Sequence, residues 1–194
     1  MARLLIAFLI YPTLLASGPA WADDPAYIAA ISVFRTAEET QRFFTNSYGY
    51  AVFPTIGKGG IGIGGAYGRG KVYRAGAETG TTSLANVSIG FQLGGQAFSE
   101  IIFFKDKEAY DKFTRGSFQF SAQATAVVIT AGAQAQAGST GSSAGAGVGT
   151  STNQAAGNYV YGMAVFVHPK GGLMYEASIA GQKFGFKPLE SSPG

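Results

Sequence analysis

Isoleucine and glycine alternate from Gly60 to Gly64, and the same period of two returns in Tyr67, Arg69, Lys71 and Tyr73. Side chains that repeat every second residue point to β-strands. Glycine makes up 29 of the 194 residues. Strands this rich in bare backbone can curve tightly and let a ring or ligand approach closely. Other segments read the same way. Tyr50 to Pro54 is a short apolar strand. Val87, Ile89, Phe91 and Leu93 alternate with Ser88, Gly90 and Gln92. Ile101 to Phe104 is a continuous apolar run, as in a strand buried on both faces. Phe118 to Ala131 alternates again, with Gln119, Ser121, Gln123 and Thr125 on its polar face. Tyr159, Tyr161, Met163, Val165 and Val167 form one further face. His168 to Gly172 reads as a turn, with Leu173 to Ala180 as the returning strand.

Helix signals flank this core. Asp24 before Pro25 is an N-cap with proline at the first helical position, and Tyr27, Ile28, Ile31 and Phe34 follow at helical spacing. Thr36 and Glu39 have the spacing of a capping box for a second short helix, with Phe43 and Phe44 turned inward. Asp106 caps a third, which carries Ala109, Tyr110 and Phe113 on one side. The expected fold class is α+β: a strongly twisted antiparallel β-sheet or partial barrel, with two N-terminal helices and one short helix packed on it.

The N-terminus reads as a removable signal peptide over residues 1–22. Arg3 supplies the positive region and Leu4 to Leu15 the apolar region. Ala20-Trp21-Ala22 is the small-residue cleavage site. The apolar region is too short for a membrane span, which needs about 20 residues. Residues 23–194 then form a single domain, with a flexible Gly/Ala/Ser-rich loop at 132–157. The expected location is periplasmic or outer-membrane-associated. Cysteine is absent, so disulfides, thiol chemistry and a lipid-modified N-terminus are excluded. Without Arg3 the chain carries thirteen basic and eleven acidic residues, which does not suit a nucleic-acid binder.

Several of these residues together resemble the SYLF domain family, whose members bind lipid in bacterial envelopes and in eukaryotic membrane remodelling. The likeness runs from about Tyr27 to Phe186. It is carried by Gly49-Tyr50-Ala51-Val52-Phe53-Pro54, then Lys58 to Gly65, then Gly68-Arg69-Gly70 and Gly90 to Gln96. Ala109, Phe113 and the stretch from Gly171-Gly172 to Gly181 complete it. Thr82-Ser83 stands where the family often has a tryptophan–serine pair, and the 132–157 loop is plainer than usual. The resemblance implies a lipid-binding domain. Its eukaryotic members bind phosphoinositides and, in fungi, actin.

No catalytic constellation emerges. Gly60 to Gly65 matches a dinucleotide-binding glycine pattern, but such a loop must open a helix, and the residues after it are strand-like. Ser143 in Gly141 to Gly145 sits in low-complexity sequence instead of a nucleophile elbow. His168 is the single histidine and reads as a turn residue. Glu78, Glu100, Asp106, Glu108 and Asp111 fall mostly near helix starts or turns. No cofactor or metal is expected. Lys58, Arg69, Lys71 and Arg74 form the one basic cluster without interleaved acids, and Tyr67 and Tyr73 share a face with Arg69 and Lys71. Tyrosines favour the water–lipid interface. Each cation near an anionic surface contributes on the order of 1 kcal/mol. The six residues are therefore the candidate lipid site, equally readable as an ordinary solvated hairpin. Lys105, Lys107, Lys112 and Arg115 alternate with acids and read as a solvated helix face. The expected function is non-catalytic binding of anionic phospholipid at a membrane surface. An outer-membrane β-barrel and a structural or adhesive protein that binds another protein are the alternatives. The short helices and polar strand faces argue against a barrel.

Overall fold

A computed structural model describes residues 24–61, 63–89, 96–121, 126–129, 158–170 and 179–190. The leader expected at 1–22, the loop expected at 132–157 and the serine motif at 141–145 fall outside these residues, as does the strand expected at 173–180 apart from Ile179 and Ala180. Two helices come first, α1 (Pro25–Thr36) and α2 (Glu38–Asn46), then strands β1 (Gly49–Ile61), β2 (Ile63–Arg74), β3 (Ala77–Ile89) and β4 (Gln96–Phe104). Helix α3 (Lys107–Thr114) follows, with β5 (Phe118–Gln119), β6 (Val127–Val128), β7 (Met163–Pro169) and β8 (Lys183–Pro188). The eight strands form one sheet in the order β5-β8-β3-β2-β1-β4-β7-β6. Every pairing is antiparallel except the short β6–β7 contact. The α+β class with a curled, half-barrel sheet is the expected one.

Strand β1 runs through Pro54, where the apolar segment was expected to stop. Proline cannot donate to a ladder and is tolerated in a central strand only at a bulge. The registers of β1 with β2 and with β4 both shift around this residue, and the Ser99 hydroxyl donates to the Pro54 carbonyl at 2.7 Å.

The sheet has an apolar cluster on each side. The inner one joins Phe53, Ile56, Val72, Leu84, Phe98, Ile102, Phe104, Val165, Val167 and Phe184 with Phe113 of α3. The outer one joins Val52, Ile101, Phe103 and Phe166 with Phe34 of α1 and Phe43 of α2. Residues 101–104 are thus buried on alternating faces, as their unbroken apolar run requires. Phe103 seats α2: its ring lies 5.4 Å from Phe43, 4.9 Å from Phe44 and 5.9 Å from Phe166.

The curl can be read from one contact. Phe53 of β1 and Phe184 of β8 are three strand spacings apart, roughly 14 Å in a flat sheet, yet their rings lie 5.7 Å apart. Small residues on the inner face of β2 permit this. A Cβ on Gly70 would sit 2.7 Å from the Phe53 ring and 2.7 Å from the Val52 carbonyl. That ring therefore occupies the space over Gly70.

Asp24 caps α1 by accepting from the Ala26 amide at 2.9 Å, and Asp106 caps α3 through the Ala109 amide at 3.0 Å. Several local expectations are corrected. Thr36 ends α1, with its hydroxyl donated back to the Val33 carbonyl, so the capping box does not form and α2 begins without a side-chain cap. Ile28 is exposed, because Ala30 and Phe34 set the buried face of α1. The Phe118–Ala131 segment is not one strand: β5 and β6 lie at opposite edges of the sheet. His168 and Pro169 belong to β7, paired with Ser99 and Phe98. Tyr161 sits in a tight turn at φ 52° and points to solvent, so Tyr159 packs with the outer cluster while Met163, Val165 and Val167 line the inner one.

Candidate functional site

Paired residues of an antiparallel ladder share a face, so the registers place each candidate residue. Tyr67, Arg69, Lys71 and Tyr73 of β2 all lie on the outer face, as the alternation required. Their partners on β1 are Gly57, Thr55, Val52 and Tyr50. Lys58 and Arg74 do not join them. Lys58 pairs with Ala66 and Gln96 and lies on the inner face beyond Ile56 and Phe98. Arg74 is at the other end of β2, eight residues or roughly 26 Å away, with its guanidinium 5.8 Å from the Tyr110 ring. The cluster of four cations read from the sequence is therefore split between two faces and two ends of a hairpin.

The outer four differ in environment. Tyr73 is buried, stacked on Tyr50 at 5.1 Å. The Lys71 ammonium forms an ion pair with Glu78 at 2.8 Å and lies 5.0 Å from the Tyr27 ring, covered by α1. Tyr67 is 54% exposed, and its hydroxyl accepts from the exposed Arg69 Nε at 3.2 Å. That hydrogen bond raises the Arg69 pKa further. Among the described residues no carboxylate lies within ion-pair distance of Arg69. Val87, 79% exposed, extends this surface on β3, opposite Gly65. On the β1 side, the Cβ positions of Gly57 and Gly59 face open space. Among the described residues, the distal outer face of β1–β3 is uncovered where Tyr67, Arg69 and Val87 stand beside Gly57 and Gly59.

Tyr27 marks the border of this surface. Burial raises its hydroxyl pKa, and the Asp24 and Glu78 carboxylates add to the rise while Arg69 opposes it. Two further cations on the helical side lie over rings: Arg35 over Phe44 at 4.4 Å and Arg42 over Phe43 at 4.8 Å. Arg42, Phe43, Asn46, Asn158 and Tyr159 line a small open cleft of about 230 Å³. Neither feature was legible in the sequence, because the rings that meet Arg35 and Arg42 also read as ordinary core residues of α2.

The most unusual titratable group is Glu100. It lies within β4, not at a helix start or turn, and is fully buried. Burial pushes its carboxyl up to about 8, with the hydrogen bond from Gln182 acting against that rise. Among the described residues, no group of three or more His, Asp or Glu is arranged to hold a metal ion. The Gly60–Gly65 pattern lies at the end of β1 and the start of β2, so no helix N-terminus stands there to receive a pyrophosphate. In α3 the Lys107 ammonium lies 2.5 Å from the Asp111 carboxylate, one turn along the helix.

A family model described as Ysc84, Las17-binding protein actin regulator, matches residues 85–184, from the end of β3 into β8. No curated protein matches the chain.

Proposed function

This chain belongs to the Ysc84, or SYLF, family, and from that premise we propose that it is a non-catalytic module binding anionic phospholipid at the membrane surface of the cell envelope. The family is one of lipid-binding and actin-regulating proteins. The observation that carries the finer reading is the uncovered outer face of β1–β3. There Tyr67 and Arg69 are exposed together beside Val87 and bare glycine backbone. A ring with a polar tip and a guanidinium suit the boundary between water and lipid, where both keep their polar ends wet. Arg69 can meet a phosphate through two parallel N–H donors.

The fold changes which cations can contribute. Lys71 is neutralised by Glu78, and Lys58 and Arg74 face elsewhere. Arg69 remains, joined on the outer face by the exposed Lys183 and Lys187 of β8, whose ladder partners Ala85 and Thr81 pair with Tyr67 and Lys71; at about 1 kcal/mol each they give weak, reversible binding that depends on salt. Outer-membrane-barrel architecture has less support. Helices α1 and α2 cover the outer face of β1, β4 and β7, where a barrel wall presents apolar side chains to lipid. Among the described residues no helix is long and apolar enough to cross a membrane.

Vesicle sedimentation tests the proposal. The chain should pellet with anionic vesicles in preference to neutral ones at low ionic strength. Arg69→Glu changes the face by two charges and should weaken that binding roughly thirtyfold, at about 1 kcal/mol per charge. Equal recovery on both vesicle types, unchanged by Arg69→Glu and Tyr67→Ala, removes this mechanism. A second reading, binding to another protein, is favoured by the family description as an actin regulator. Specific pull-down partners without any lipid affinity would select it.

A further inference from the structure

Glu100 and Gln182 meet where the strand order should keep them apart. Four strand spacings separate β4 from β8, roughly 19 Å in a flat sheet. The Gln182 amide nonetheless donates Nε2 to Glu100 Oε2 at 3.0 Å, with both side chains buried. The bond is a chord across the inside of the curl, joining the residue before β8 to the middle of β4. Its surroundings are apolar: Phe53 on β1 and Val167 on β7 are the strand partners of Glu100, and Phe98 and Ile102 flank it on β4. Among the described residues, Glu100 Oε1 and Gln182 Oε1 are both buried without a hydrogen-bond partner.

We propose that this pair is a proton-controlled latch: the neutral Glu100 acid holds the 179–190 segment, with β8, across the inner face, and its ionisation releases that segment. A carboxylate in this position has one donor, the Gln182 amide, where an ionised acid in water has several. A neutral acid keeps that bond and adds an O–H donor, for which the buried Gln182 Oε1 is an acceptor of matching chemistry. Among the described residues, the titratable groups facing the same interior from the packed elements are Lys58 near the distal end of β1, and Tyr48 and Tyr110 at the opposite end, beside Arg74. None of them contributes to the perturbed titration of Glu100, which burial causes and the Gln182 bond opposes. Lys183 is exposed and turned away from the cluster.

The segment that the latch retains is also held by Phe184, whose ring lies 5.7 Å from Phe53, 5.1 Å from Phe113, 6.0 Å from Phe118 and 5.4 Å from Phe120. Its β3 ladder runs from Gly80 to Ala85, and β5 on its far side is two residues long. The Asn86 side chain donates to the Ala180 carbonyl at 3.0 Å, and the Thr82 hydroxyl to the Gly185 carbonyl at 2.7 Å. Such an edge opens before the central strands do. Opening uncovers Phe53, Leu84, Ile179 and Phe184, an apolar face suited to an acyl chain. That consequence rests on the lipid reading; the latch itself does not.

Amide hydrogen exchange on the full chain at pH 6 and pH 8, corrected for intrinsic rates, separates the possibilities without any lipid. If the carboxyl titrates near 8 when closed and near 4.5 when open, the opening constant of β8 amides rises about fiftyfold between these pH values. The β8 amides should exchange through an opening that costs less than the global unfolding limiting Ala51 to Phe53 in β1, and Glu100→Gln should abolish the rise. An equal opening free energy for β1 and β8 amides, or a rise retained in Glu100→Gln, overturns the latch. Should that variant fail to fold, a carbon-13 NMR titration of the wild-type Glu100 carboxyl decides. A midpoint near 8 supports the latch, and one near 4.5 overturns it.

Discussion

Adding one methyl group to a glycine of the β1–β2 hairpin should destabilise the fold on one face and stabilise it on the other. At Gly70, on the inner face, the new Cβ would lie 2.7 and 2.8 Å from two carbons of the Phe53 ring and 2.7 Å from the Val52 carbonyl oxygen. Ordinary contacts fall near 3.5–4.0 Å, so close to 1 Å of separation must be found. The carbonyl belongs to the neighbouring strand, paired through Val52 and Lys71, and cannot retreat without breaking the ladder. The ring is backed by Phe184. Overpacking of this kind costs roughly 1–3 kcal/mol, and the rigid partners put Gly70→Ala toward the top of that range. Removing glycine from the unfolded chain returns about 0.4–1 kcal/mol, which leaves a net loss of about 2 kcal/mol. At Gly57, on the outer face of β1, the Cβ meets nothing within 4 Å. Only the backbone effect remains there, so Gly57→Ala should gain about 0.4–1 kcal/mol. Urea unfolding monitored by far-UV circular dichroism measures both, with m-values compared to confirm that the unfolding reaction is unchanged. Equal midpoints for the two variants, or a Gly57→Ala protein less stable than Gly70→Ala, would refute the account of the curl as rings packed over bare backbone.

Glu100→Gln should remove a pH slope in global stability. The folded carboxyl is raised from 4.5 to about 8, so its contribution is fully present below pH 4.5 and is lost as pH rises through 8. At about 1.4 kcal/mol per pH unit the wild type loses about 4 kcal/mol by pH 8, seen as a fall in urea midpoint between pH 5 and pH 8 that the variant lacks; parallel midpoints would contradict this. Phe103→Ala empties the socket of α2 and should cost about 3–5 kcal/mol, together with a loss of near-UV dichroism from the ring cluster; a cost under 1 kcal/mol would show that α2 is seated by other contacts. Asp106→Ala removes the cap on the Ala109 amide and should cost about 1 kcal/mol by thermal unfolding, whereas Thr36→Ala should cost much less because no capping box forms there.

Local chemistry was legible in the sequence wherever a signal involves neighbouring residues. Asp24 and Asp106 accept from amides two and three residues ahead, so spacing alone fixes those caps. The shared face of Tyr67, Arg69, Lys71 and Tyr73 follows from the two-residue period of a pleated strand. Burial of residues 101–104 on both faces follows from an apolar run too polar-free to face water on either side. Partnership across strands was not legible, because register depends on which strands pair and on where bulges fall. Lys58 and Arg74 look like members of one basic cluster, yet the hairpin sends them to opposite ends. Lys71 is ion-paired with Glu78 because β2 and β3 lie side by side, and Glu100 meets Gln182, eighty-two residues away, only because the sheet curls. Near-neighbour periodicity thus sets strands, caps and faces, while desolvation and ion pairing are decided by contacts that exist only once the sheet closes around its glycines.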